Sequence, residues 1–171
     1  MKKILALAVL SAFITFTSAQ AQGTRKSPKA TVTETLTSGA TITIEYSQPS
    51  LNGRTIGKDV EPKDGTVWRM GANEATTFEV DKDITIDGQK LPAGKYSLFG
   101  LPKENSFTLM LNSNWKIWGT QYADNIEKDV LKFDVKRTKT ETITEKLTYT
   151  IDKDGKVAMN WGDLQLAFWV K

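Results

Sequence analysis

From Ala30 onward the chain alternates apolar and polar residues with a period of two, the spacing of half-buried strands. Val32, Glu34 and Leu36 fall on one face, and Thr31, Thr33 and Thr35 on the other. Ser38-Gly39 turns the chain, and Ile42, Ile44 and Tyr46 then alternate through residues 41–47, so the two stretches read as a hairpin. Residues 49–64 hold two prolines, Gly53 and Gly57 and read as a connection. Residues 66–70 and 76–80 read as strands either side of a Gly71-Ala72-Asn73 turn. Residues 84–86 and 89–91 read as a hairpin over Asp87-Gly88, a type I′ pair. In Leu91-Pro92-Ala93-Gly94-Lys95-Tyr96, Pro92 presets a turn angle and Gly94 is free to take φ > 0. Tyr96 is spaced as in the tyrosine corner of sandwich folds, where the phenol bonds back to upstream backbone.

Residues 95–101 and 107–112 read as neighbouring strands. Residues 112–129 are the least regular part, with one helical turn expected at 124–130 under an Asp124 cap. Strands are expected again at 130–136, at 141–151, at 157–161 after an Asp154-Gly155 turn, and at 164–171. Ile143, Leu147, Tyr149 and Ile151 share one phase, interrupted by Glu145, and Leu164, Leu166, Phe168 and Val170 share another. Trp161 and Trp169 read as packing residues. The whole predicts an all-β protein, an antiparallel β-sandwich with Greek-key-like connections and about eight to ten strands; a β-barrel is the alternative.

The first 21 residues follow other rules. Lys2 and Lys3 precede an apolar run from Ile4 to Phe16, broken by Ser11 and Thr15, and Ala19-Gln20-Ala21 has the form of a cleavage site. The run is shorter than the roughly 18 residues a spanning helix needs. A lipoprotein anchor would require a cysteine, and the chain has none. The expectation is therefore a signal peptide (1–21), a flexible lead-in (22–29) and a single β-sandwich domain (30–171), exported to the periplasm or the cell exterior. Without Lys2 and Lys3 the chain has 21 basic and 20 acidic residues, a formal charge of +1. No basic stripe suggests a nucleic-acid partner, and no second apolar segment is long enough to cross a membrane. The absence of histidine as well as cysteine excludes a Ser-His-Asp triad, a Cys-His pair and the usual zinc sites. No cofactor or metal is expected.

Four segments carry a family likeness: Tyr46-Ser47-Gln48-Pro49-Ser50, Gly53-Arg54-Thr55-Ile56-Gly57, Trp68-Arg69-Met70-Gly71-Ala72-Asn73-Glu74-Ala75-Thr76, and Leu91-Pro92-Ala93-Gly94-Lys95-Tyr96-Ser97-Leu98-Phe99. Together they resemble the bacterial domain-of-unknown-function family 2911, uncharacterised secreted β-rich proteins of Bacteroidetes-type organisms. The resemblance implies a fold and a compartment and brings no activity. In that pattern an arginine often stands where this chain has Gln48, so a site using that arginine would be altered here.

Arg69, Asn73 and Glu74 surround one turn, and Arg54 in the preceding loop is close enough in sequence to join them. Two readings are open. In one, Arg69 grips an anionic or hydroxyl-rich ligand beside Asn73 and Glu74. In the other, Arg69 pairs with Glu74 while Asn73 caps the turn, a structural network. Trp115, Trp118 and Tyr122 form an aromatic loop that either stacks on sugar rings or covers a sheet end. Glu45, Glu74 and Asp124 are the carboxylates available for a glycosidase pair. Asp81-Lys82-Asp83 and Asp152-Lys153-Asp154-Gly155 resemble fragments of calcium loops but lack the full ligand set and read as turns. The function expected is a noncatalytic ligand- or glycan-binding module of the cell envelope, more a binder than an enzyme. The alternatives are a structural or assembly protein of the envelope and, third, a carboxylate-dependent hydrolase.

Overall fold

A computed structural model of the chain describes residues 25–171, so the expected signal segment lies outside the described residues. Ten strands form among them: β1 (Lys29–Thr35), β2 (Thr41–Ser47), β3 (Thr76–Val80), β4 (Ile84–Ile86), β5 (Gln89–Leu91), β6 (Gly94–Pro102), β7 (Ser106–Asn112), β8 (Asp129–Lys136), β9 (Thr138–Ile151) and β10 (Lys156–Trp169). Every pairing between them is antiparallel. Six strands make one sheet in the order β1-β2-β3-β6-β7-β8.

The long β9–β10 hairpin packs against one face of that sheet as a second layer. Isolated bridges widen this layer: Ser50 pairs with Lys146 on β9, and Ile86 on β4 pairs with Val170 just past β10. The β4–β5 hairpin thus leaves for the second layer, while β3 and β6 on either side of it in sequence pair directly. The six-stranded sheet ends at β1 and β8 and does not close, so the architecture is a sandwich and the barrel alternative falls.

Alternation fills the space between the layers. Ile42, Ile44, Phe78, Leu98, Leu109 and Leu111 stand on the inner face of the sheet, fully buried. Leu147, Tyr149, Met159 and Trp161 meet them from the hairpin. Phe168 closes edge-on to Phe133 with ring centroids 5.2 Å apart. Trp161 is buried, and its indole N–H donates to the Glu61 carbonyl at 2.9 Å, so the ring leaves no polar atom unpaired.

The corner before β6 forms as the spacing predicts, with the Tyr96 hydroxyl donating to the Pro92 carbonyl at 2.8 Å. Gly94 is needed for a different reason than the one expected. It does not take positive φ. Instead the phenol lies against it, and a Cβ there would meet Tyr96 Oη at 3.0 Å. Removing the hydroxyl by Tyr96→Phe is expected to cost about 1 kcal/mol in urea unfolding. The hairpin over Asp87-Gly88 also forms, with φ of 50° and 73° at its two turn residues.

Four expectations are corrected. Residues 66–70 make a single bridge, Trp68 to Gly100, rather than a strand, because Met70 takes a left-handed φ of 54° and turns the chain away. Ile143 is 60% exposed rather than buried. Between the Gly162–Thr144 and Leu164–Lys139 pairs β10 advances two residues and β9 five, so Ile143 sits in the slack of a bulge. Trp169 is 49% exposed, because it lies out of phase with the buried Leu164, Leu166 and Val170. The helical turn is a 3₁₀ segment, Ala123–Lys128, that starts at Tyr122 without a side-chain cap; Asp124 sits inside its first turn.

Candidate functional site

Register lays a polar row across the outer face of the six-stranded sheet. Thr31, Glu45, Thr77, Ser97, Asn112 and Asp129 are successive cross-strand partners from β1 to β8. The segment between β7 and β8 covers half of it. Ser97 Oγ donates to the Asn114 carbonyl at 3.0 Å. Asn112 Nδ2 donates to the Asn125 carbonyl at 2.7 Å and to Asp129 Oδ1 at 2.8 Å, while its Oδ1 accepts from the Asn114 amide at 2.9 Å. The Tyr122 hydroxyl donates to Asp129 Oδ2 at 2.6 Å. Burial and that carboxylate push the phenol well above its usual pKa. The Tyr122 ring packs on Phe99 at 4.8 Å, in a small second core with Met110 and Ile117.

The other half of the row stays open. Thr31, Glu45 and Thr77 line a groove of about 430 Å³ whose lining also includes Trp115 and Trp118 from the covering segment. Trp118 is 47% exposed. The Trp115 ring is flanked by two ammonium groups, Lys95 Nζ at 5.0 Å and Lys116 Nζ at 4.7 Å from its centroid. Lys95 also bonds Glu45 directly and reaches Glu79 at 3.2 Å. Burial alone would lower the Lys95 pKa, but the bonds to these two carboxylates outweigh it and raise it. The bond from Lys95 in turn holds Glu45 below its usual range, with a smaller contribution from the nearby Thr77 hydroxyl. That hydroxyl has no partner in hydrogen-bonding geometry among the described residues, although Thr77 is only 8% exposed. Most buried polar groups are paired, and this one lies covered beside Glu45.

Glu74 stands at the rim, where it bridges to Trp118. Its two oxygens accept from Arg25 Nη1 and Nη2 at 2.8 and 2.7 Å, a bidentate pair. This bond holds the Glu74 pKa at about 2, against an ordinary 4.5. A depressed carboxyl pKa stabilises the fold above the ordinary value, and that contribution is lost as pH falls through the depressed one. In Arg25→Gln the Glu74 carboxyl is therefore expected to titrate near 4.5 rather than 2, as followed by its side-chain NMR shift, and acid sensitivity in that interval should weaken. Arg25 belongs to a lead-in held at two further points: Asn73 Nδ2 donates to the Ser27 carbonyl at 3.3 Å, and the Gln48 amide to the Pro28 carbonyl at 2.8 Å.

The residues singled out in the sequence divide. Glu74, Trp115 and Trp118 meet at the groove. Arg54, Arg69 and Asn73 border a separate shallow cleft. Arg54 closes its own loop by donating to the Ser50 and Leu51 carbonyls at 2.8 and 3.0 Å. Arg69 donates to the Asn73 carbonyl at 2.9 Å rather than pairing with Glu74, which Arg25 holds instead. The Arg69 stem lies so close to Gly119 that a Cβ there would stand 2.2 Å from its Cδ. Tyr122 lies in the second core, and Asp124 is exposed on the 3₁₀ segment.

Lys29, Glu45, Thr77, Lys95 and Lys116 also line the groove; of these only Glu45 had a reading from sequence, as one of several carboxylates. The Gln48 side chain donates through Nε2 to the Leu147 carbonyl at 2.9 Å. The calcium-like fragment at 81–83 braces turns: Asp81 accepts from the Thr41 amide at 2.6 Å and Asp83 from the Ala93 amide at 2.8 Å. Among the described residues no cluster of three acidic groups is arranged to hold a metal ion, and no helix is long and apolar enough to cross a membrane.

No curated protein and no solved structure matches the chain. A family profile does, over residues 27–170, which takes in both layers of the sandwich, the groove and the covering segment: the chain belongs to DUF2911, a family of proteins of unknown function.

Proposed function

We propose that this protein is an exported, noncatalytic binding module of the cell envelope, and that the groove between the covering segment and the β1–β3 side of the sheet receives a hydroxyl-rich ligand, a glycan. The observation that supports this most is the exposed tryptophan, Trp118, standing beside a lining that includes the polar side chains of Lys29, Thr31 and Glu45. An indole face packs on the C–H face of a sugar, and hydroxyls satisfy donors and acceptors on the sheet beneath. Export rests on the N-terminal sequence pattern.

The chemistry of the carboxylates favours binding over hydrolysis. A glycosidase needs one carboxyl raised in pKa to protonate the leaving group. Glu45 and Glu74 both line the groove and both are pushed down, by Lys95 and Arg25 respectively. A glycan panel read by intrinsic tryptophan fluorescence tests the proposal. Binding that weakens about three- to tenfold in Trp118→Ala, the loss of one aromatic contact, is expected. A full panel without a hit on the folded protein would defeat it.

A structural or assembly role has one observation in its favour, the 60% exposed Ile143 on the β9 bulge. It predicts self-association or partner capture lost in Ile143→Asp; a protein that stays monomeric in sedimentation and binds no envelope component argues against it.

A further inference from the structure

The charges of the groove are unequally matched. Its two lining carboxylates are already engaged, Glu74 by Arg25 and Glu45 by Lys95. Two of its lysines are not. Neither Lys29 on β1 nor Lys116 on the covering segment makes an ion pair or a side-chain hydrogen bond among the described residues, and both line the same cavity. Lys116 is instead placed over Trp115, which with Lys95 near the same ring is engaged by the protein's own cations. Trp118 is the ring left exposed for stacking. Lys29 lies near enough to Glu45 and Glu74 to help hold both below their usual range, but those carboxylates bond Lys95 and Arg25; one exposed aromatic ring thus stands with two ammonium groups that make no ion pair, an arrangement complementary to a ring that bears an anion.

We infer that the ligand is an acidic saccharide, whose pyranose ring stacks on Trp118 while its carboxylate lies between Lys29 and Lys116. This rests on the glycan-binding reading above and narrows it to one chemical class. Arg25 and Lys95 have the complementary role: by neutralising Glu74 and Glu45 they keep the groove from repelling that carboxylate.

The test uses the chain from residue 22 and follows tryptophan fluorescence with trigalacturonate, a glucuronate disaccharide and sialyllactose, each against its own methyl ester. At least one acid is expected to bind ten or more times tighter than its ester, with the advantage shrinking as salt is added. In the double variant Lys29→Gln, Lys116→Gln the advantage of that acid over its ester should disappear, with the melting temperature unchanged. Acids and esters binding alike, or esters binding tighter, would overturn the inference and leave glycan binding standing. An advantage for the acid that survives in the double variant would overturn the placement of its carboxylate. Silence from every acid and ester, together with an empty neutral panel, would remove both.

Discussion

Gly155→Ala is expected to destabilise the protein by about 4 kcal/mol, near the upper end of single-residue effects. Two costs add at this turn of the β9–β10 hairpin. Gly155 has φ of 96°, which L residues avoid. A Cβ there would also stand 2.1 Å from the Val170 carbonyl oxygen, and a backbone atom has no rotamer by which to step aside. The contact is close because the Val170 amide donates to the Gly155 carbonyl at 2.9 Å. Separating the two strands of chain there strains the junction with β4, where Thr85 and Lys171 exchange bonds of 2.7 and 3.0 Å. Gly88→Ala separates the two costs. It shares a positive φ, 73°, but nothing lies within 4 Å of its added carbon, so it should cost only about 1 kcal/mol. Urea unfolding of the two variants reads the difference directly. Equal losses would mean that backbone conformation, not the closeness of Val170, governs this position.

The same hairpin shows what a strand pattern reveals and where it stops. Alternation is a local property, so β1, β2, the β4–β5 hairpin and the existence of β8 were legible from their own residues. The tyrosine corner was legible for the same reason, since Tyr96 and Pro92 are four residues apart. Ile143 was misread because its exposure depends on how many residues β10 spends opposite it, which only the pairing determines. The strand expected at 66–70 failed on one backbone angle, at Met70, where nothing in the side chain announces φ > 0. Trp169 is different: it stands out of phase with the buried Leu164, Leu166 and Val170, so alternation alone places it outside.

The groove was legible only in its aromatic wall. Trp115 and Trp118 stood out as large rings in an irregular segment, and Glu74 as a charge at a turn. The floor stayed hidden because the row from Thr31 to Asp129 is assembled from six strands, and no residue in it is unusual by itself. Glu45 lies opposite Thr31 within one hairpin, so that step was available from the turn at Ser38-Gly39; the next step, to Thr77, needs the order of the sheet. Arg25 was missed for another reason. It sits in a polar stretch with no periodicity, and only its partner, 49 residues away, gives it a role.

That row also sets up two neighbouring substitutions with opposite outcomes. Asn112→Ala removes three hydrogen bonds at a fully buried position and strands the Asn125 carbonyl, the Asn114 amide and one oxygen of Asp129. A loss of about 2–4 kcal/mol is expected, since each buried group left unpaired carries its own desolvation cost. The damage should spread along the segment between β7 and β8, because Asn125 also bonds Asn114 at 2.8 Å and the Gln121 carbonyl at 2.8 Å. Amide exchange at Asn125 should quicken, and Trp115 and Trp118 should lose their fixed place at the groove. Thr77→Val, two strands away in the same row, removes a hydroxyl with no partner in hydrogen-bonding geometry and only a minor influence on Glu45, so stability should hold or rise by about 1 kcal/mol. If Thr77→Val instead destabilises as Asn112→Ala does, the Thr77 hydroxyl is part of the protein's own network. If it does not, the two positions mark the boundary between the half of the row whose hydrogen bonds hold the fold and the half that lies beneath the groove.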